Sequence, residues 1–156
     1  MKFKESGDKI DFNKPLIPQN NWTISFWVNP SDVITNHTII GQFDSEQEGR
    51  FIIRIGHTDN QIDAFHEGFT IPKFSPISTD VWYHIIITHT GTALNLYING
   101  NLEDSQAGTR NTYQGNDTRI RGIGDIDDVR IYNTALTAEE IERVYTETKH
   151  KYLADY

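Results

Sequence analysis

The chain has no cysteine and a single methionine in 156 residues, and it contains no apolar run of membrane-spanning length. Without cysteine there is no disulfide framework, no thiolate nucleophile and no thiolate metal centre. That fits a reducing compartment without requiring one. The longest aliphatic run, Ile85-Ile86-Ile87, falls far short of the ~20 apolar residues that a bilayer-spanning helix needs. Positive charge is also scarce. The formal net charge is −8 and no cluster of Lys and Arg offsets it, so neither a nucleic-acid backbone nor an anionic membrane is expected as a partner, and the short apolar runs predict no membrane insertion. The segment Met1–Asp8 is charged and lacks an apolar h-region, so no signal peptide is expected in it.

What is present describes a folded globular chain: 37% of the residues are hydrophobic and 12% aromatic, enough for a sizeable core. No repeat, linker or low-complexity stretch interrupts it, so a single domain over 1–156 is expected, with a frayed tail over 149–156. Short strands broken by turn residues predict an all-β sandwich or barrel. Phe3 to Phe12 reads as an opening strand pair turning at Gly7-Asp8. From Trp22 to Val28 the pattern alternates, with Trp22, Ile24, Phe26 and Val28 on one face and Thr23, Ser25 and Trp27 on the other, until Pro30 stops the ladder. Ile39-Ile40, Phe51–Ile55 and Ile62–Phe65 are further strands. Residues 81–103 form a three-stranded meander, in which Asn99-Gly100 supplies a type I′ turn.

Residues 104–118 read as loop, and 118–132 as a last strand bent near Gly122 and Gly124. Thr137-Ala138-Glu139-Glu140 is a capping box. Ile141, Val144 and Tyr145 follow at the spacing of an amphipathic helix.

The candidate site residues follow from this pattern. Strand alternation places Asp127 on the same face as Val129 and Ile131. A carboxylate facing a core must bind a cation or accept backbone N–H groups in a turn. Trp27 and Tyr83 are expected outside the core, where a flat ring either stacks on a ligand or packs beneath a covering loop. Tyr113, Arg119 and Arg121, near the loop after Asn111, are rim candidates. His84 and His89 lie on one strand with opposite parity, so they cannot chelate one metal. The three Asn-x-Thr sequons at Asn21, Asn36 and Asn116 are close to what chance supplies in a chain this rich in Asn, Ser and Thr, and they decide nothing.

Four blocks carry a family resemblance: Phe3 to Phe12; Trp22-Thr23-Ile24-Ser25-Phe26-Trp27-Val28-Asn29-Pro30; Val81-Trp82-Tyr83-His84 through Leu96-Tyr97-Ile98-Asn99-Gly100; and Gly124 to Leu136 running into the helix with Glu140 and Ile141. In this order they resemble the laminin-G-like jelly roll of the concanavalin A-like lectin/glucanase superfamily. The resemblance implies two antiparallel sheets packed face to face, one of them concave, with a short C-terminal helix. It also implies a structural Ca²⁺ held by Asp8 and Asp127 with carbonyls and water, since calcium takes six to eight oxygens. Between Asn111 and Gly124 the chain is shorter than the family pattern.

A non-catalytic binding module is therefore expected, for carbohydrate recognition or adhesion, in a secreted, cell-surface or virion protein whose partner is a glycan or a protein surface. A structural or assembly module, oligomeric and bound to another protein, is the alternative. A glycoside hydrolase fits least. Retaining hydrolysis needs an acid and a nucleophile about 5–5.5 Å apart, and no Glu-x-Asp-x-Glu-like run supplies them. Asp125 and Asp127 share a face but belong to the turn block.

Overall fold

The computed structural model describes residues 2–4, 8–44, 48–56, 60–66, 75–108, 117–122 and 124–153, with the side chains of 44, 48–50 and 66 left aside. The strands are β1 (Lys2–Phe3), β2 (Lys9–Asp11), β3 (Trp22–Pro30), β4 (His37–Asp44), β5 (Glu48–Ile55), β6 (Ile62–His66), β7 (Tyr83–His89), β8 (Ala93–Ile98), β9 (Asn101–Ala107), β10 (Asp117–Arg121) and β11 (Gly124–Tyr132). Helix α1 (Ala138–Thr148) and a 3₁₀ turn over Lys149–Lys151 follow. All pairings are antiparallel and form a six-stranded sheet, β1-β11-β3-β7-β8-β9, and a five-stranded sheet, β2-β10-β4-β5-β6.

The predicted sandwich is present, and its core follows from the alternation. Trp22, Ile24, Phe26 and Val28 of β3 are buried with Ile85 and Ile87 of β7 and Phe51, Ile53 and Ile55 of β5. The turn between β8 and β9 has Asn99 at φ 50° and Gly100 at φ 83°, the positive values that a type I′ turn requires.

Two local expectations are corrected. The segment Phe3–Phe12 is not a hairpin: β1 joins β11 in one sheet and β2 joins β10 in the other. Likewise 118–132 is not one bent strand, because β10 and β11 belong to different sheets. A strand ladder is satisfied by whichever edge lies alongside, and sequence neighbours need not supply it. The meander is as expected, though β9 runs on to Ala107 into what reads as loop.

A second small core lies on the outer side of the six-stranded sheet. Ile86 of β7 packs there against Ile141 and Val144 of α1. The capping box forms as predicted: the Glu140 N–H donates to Thr137 Oγ1 at 3.3 Å, and the Thr137 N–H donates to the Glu140 carboxylate at 2.8 Å. The tail does not fray where expected, since Tyr152 is packed. Residues 154–156 lie outside the described part.

Candidate functional site

The outer faces of the two sheets carry the side chains in question, and they are built differently. On the six-stranded sheet, Trp27 is fully buried. Its indole N–H donates to Thr148 Oγ1 at 2.9 Å. Its ring stacks on His84, Tyr145 and Tyr152, with centroids 4.9, 5.9 and 4.4 Å away. Trp27 therefore is no platform for a ligand. It faces out of the sandwich as the alternation requires, but α1 and the segment after it cover the ring.

His84 is buried in the same stack. Its Nε2 lies 2.9 Å from Ser25 Oγ, and its Nδ1 is buried with no hydrogen-bond partner. Desolvation pushes the imidazole pKa down to about 4; Asp128 opposes that shift and Arg130 adds to it. Its strand neighbour by parity, His89, faces the inner core and stacks on Trp22, so the two histidines are on opposite faces as expected. Tyr83 also faces inward: it packs on the main core, and its hydroxyl accepts the Ser78 N–H at 3.0 Å. Its placement as an outer stacking residue is corrected.

Asp127 is not on the core face. Asp127 pairs with Trp27 and Arg130 with Ser25, so β11 contains one residue more than β3 over this stretch. That extra residue is a β-bulge. Asp128 absorbs it at φ 49°, a conformation that Asp tolerates better than most residues. The bulge lets Ile126 face inward before it and Val129 and Ile131 after it, while Asp127 stands exposed. Its carboxylate accepts the Tyr152 hydroxyl at 3.0 Å. The Asp128 N–H is the largest influence holding its pKa below the usual carboxylate range, with the Tyr152 bond assisting.

Asp8 lies elsewhere. It accepts the Lys4 N–H at 2.8 Å, beyond the end of β1 where Phe3 pairs with Gly124. With strands rising ~3.3 Å per residue, that is on the order of 10 Å along β11 from Asp127. Calcium ligands sit 2.3–2.6 Å from the ion, so the two acids cannot share one. Among the described residues no three His, Asp or Glu side chains converge on a possible metal position. The residues proposed for calcium do not fit it.

Among the described residues no helix lies on the outer face of the five-stranded sheet. Ile120 of β10 points to the core, so Asp117, Arg119 and Arg121 point outward. They are joined by Asp11 of β2, opposite Arg119, and by Gly41 of β4, opposite it on the other side. Phe43 lies over Gly41 so closely that a Cβ there would be 2.6 Å from the ring. Both guanidinium groups stand over that ring, Arg119 at 5.3 Å and Arg121 at 5.6 Å from the centroid. Arg119 Nε donates to Asp117 at 2.6 Å and lies 3.3 Å from Asp11.

Among the described residues Arg121 has no such partner. Its Nε is buried without a hydrogen bond. Further across, the outward-facing Arg54 and Asp63 form a two-pronged pair at 2.8 and 3.2 Å. The structure thus brings together Arg119 and Arg121 of the sequence candidates and adds Phe43. Tyr113 lies outside the described residues.

A separate cleft of about 590 Å³ opens where the sheets part, floored by Phe12, Leu16, Ile120, Val129 and Ile131, with Asn133 and the β11 bulge at its lip. Its lining is mostly apolar.

The model of the concanavalin A-like lectin/glucanase superfamily matches residues 4–142. The structure is similar to the botulinum neurotoxin serotype D binding domain, with a TM-score of 0.75 and 24% identity over 93% of this chain and 42% of that one. It is similar to a heptameric SAP-like pentraxin from Limulus polyphemus (TM-score 0.71, 16% identity, 88% of this chain and 75% of that one). It also resembles domain 4 of an extracellular arabinanase from Geobacillus stearothermophilus, solved in complex with arabinotriose (TM-score 0.70, 22% identity, 88% and 72%). The chain spans about two fifths of the toxin fragment. No curated protein sequence matches it.

Proposed function

The chain belongs to the concanavalin A-like lectin/glucanase superfamily, and from that premise we propose that it is a non-catalytic module that binds carbohydrate on the outer face of its five-stranded sheet. One observation carries the reading. Phe43, Arg119 and Arg121, with Asp11 and Asp117 beside them, form a cluster of flat side chains on a sheet face on which no described helix packs. A sugar ring offers such a surface both an apolar C–H face and an edge of hydroxyls. Aromatic rings take the first, and carboxylates and guanidinium groups hydrogen-bond the second. Similarity to an arabinanase domain solved with arabinotriose and to toxin binding domains supports recognition over chemistry and an extracellular setting, as a secreted or surface protein.

A glycan array probed with the full chain tests this. We expect defined hits that disappear in the Arg119→Gln/Arg121→Gln variant with its melting temperature kept, and no reducing sugar released from β-glucans. Hits that ignore the double change, or turnover lost on Asp125→Asn, would overturn it. The apolar cleft between β2, β10 and β11 favours a second reading, an assembly module that accepts an apolar side chain of another protein. A silent array with self-association lost on Val129→Asp would favour that alternative.

A further inference from the structure

The charges on the outer face of β2 and β10 do not balance. Lys9 pairs with Asp11 at 3.4 Å, and Arg119 with Asp117 at 2.6 Å and Asp11 at 3.3 Å. Those acids and bases satisfy one another. Arg121, opposite Lys9 on β2, is left with a cation–π contact to Phe43 and, among the described residues, no carboxylate, although the chain as a whole carries a net charge of −8. An unpaired guanidinium with a buried Nε is unfavourable unless something else pairs it.

Arg121 also lines a pocket of about 330 Å³, whose other walls are Thr35, Asn36, His37, Thr38 and Gly122. This pocket is pre-shaped. Asp32 accepts the Ile34 N–H at 2.8 Å and the Thr35 N–H at 3.2 Å, and its other oxygen lies 3.1 Å from His37 Nε2. Those bonds hold the Asp32 carboxyl ionised, far below its usual range, so it is already satisfied and does not compete for Arg121. Behind the loop, the Thr35 carbonyl oxygen would be 2.4 Å from a Cβ at Gly56. The wall is thus pressed against β5 and cannot easily retreat.

We propose that this pocket binds the carboxylate of an acidic sugar, a uronic or sialic acid, with Arg121 as its anchor. This inference rests on the glycan-binding reading above and names the ligand class. One planar fork of donors matches one planar pair of acceptor oxygens. One surplus positive charge matches a monoanion, while the acid-rich chain repels a polyanion. The Asn36 amide and the Thr38 hydroxyl are donors or acceptors for ring hydroxyls.

The test titrates glucuronate, N-acetylneuraminate, glucuronamide, glucose and inorganic sulfate into the full chain by NMR or calorimetry. At least one acidic sugar is expected to bind, glucuronamide and sulfate much more weakly. Arg121→Gln should weaken the acid by about tenfold or more, the loss of a charge-assisted pair, and Arg121→Lys by less. Equal binding of acid and amide, sulfate binding as well as the sugar acid, or an Arg121→Gln protein that holds the acid undiminished would each overturn the proposal. Neutral glycans bound with no gain for acids sink this pocket and leave the module's function standing. A chain that binds no sugar of either kind sinks both.

Discussion

The six-stranded and five-stranded sheets each turn one face to a shared core, but their outer faces are used in opposite ways. On the first, outward aromatic and polar side chains are roofed by α1 and buried: Trp27, His84 and Ser25 see almost no water. On the second, Phe43 and the charged Arg119 and Arg121 are half-buried. An aromatic residue at an outward strand position therefore says little about ligand binding until its cover is known. The roofed face contributes stability and the proposed glycan binding lies on the other, so substitutions on the two faces should separate stability from binding.

The largest stability effect belongs to the roofed face. Trp27→Ala removes a fully buried ring and its bond to Thr148, and about 3–5 kcal/mol should be lost in denaturant unfolding, as for other large-to-small core changes. Trp27→Phe should recover part of it. If Trp27→Ala unfolds like the wild type, the roof is not a structural element.

Acid should strain the same face. His84 is neutral in the fold with a pKa of about 4, against 6.5 in the unfolded chain. Because the folded value is depressed, the unfolded chain takes up the proton first. Stability from this residue is therefore intact above pH ~6.5 and falls as pH drops from there toward 4. At 1.36 kcal/mol per pKa unit, that window holds about 3 kcal/mol. A Ser25→Ala/His84→Phe protein should show a flatter pH–stability curve between those limits. An unchanged slope would place the acid sensitivity elsewhere.

The unroofed face should respond weakly in stability. The Arg119–Asp117 pair is partly solvated on both sides, and such pairs contribute roughly 0–1 kcal/mol. Arg119→Gln should thus shift the unfolding midpoint only slightly while reducing glycan binding. A destabilisation comparable to that of Trp27→Ala would erase the distinction between the faces.

Local signals were legible and non-local ones were not. The alternation of β3, the Asn99-Gly100 turn and the Thr137–Glu140 capping box depend on residues within a few positions of one another, and each stands where the sequence places it. The division of β1 from β2 and of β10 from β11 depends on which edge lies alongside, which no local pattern encodes. Asp127 is instructive because a signal was present. Ile126 and Val129 are both apolar three residues apart, which no regular strand can turn to one face, and an Asp-Asp pair tolerant of positive φ lies between them. That spacing announces a bulge. The cover over Trp27 was also deducible: the stripe of Ile141, Val144 and Tyr145 needs an apolar surface, and Trp27 with Ile86 supplies one on the outward side of adjacent strands. Arg119 and Arg121 were legible as rim residues, whereas Phe43 was not, because its role comes from lying on Gly41 across from β10.

The smallest effect expected is that of calcium. A cation bound only by the folded state raises stability by RT ln(1 + [L]/Kd), so even a weak structural site would shift the melting temperature at millimolar metal. Asp127 gives its carboxylate to Tyr152 and the Asp128 N–H, and Asp8 gives its own to Lys4. Each is hydrogen-bonded where it stands, and they lie too far apart to act as a pair. Chelator and added Ca²⁺ should therefore leave the melting curves superimposable, and Asp127→Asn should cost no more than the Tyr152 bond, about 1 kcal/mol. A Ca²⁺-dependent rise in melting temperature that vanishes in Asp127→Asn would return this residue to a metal site on the roofed side of the molecule.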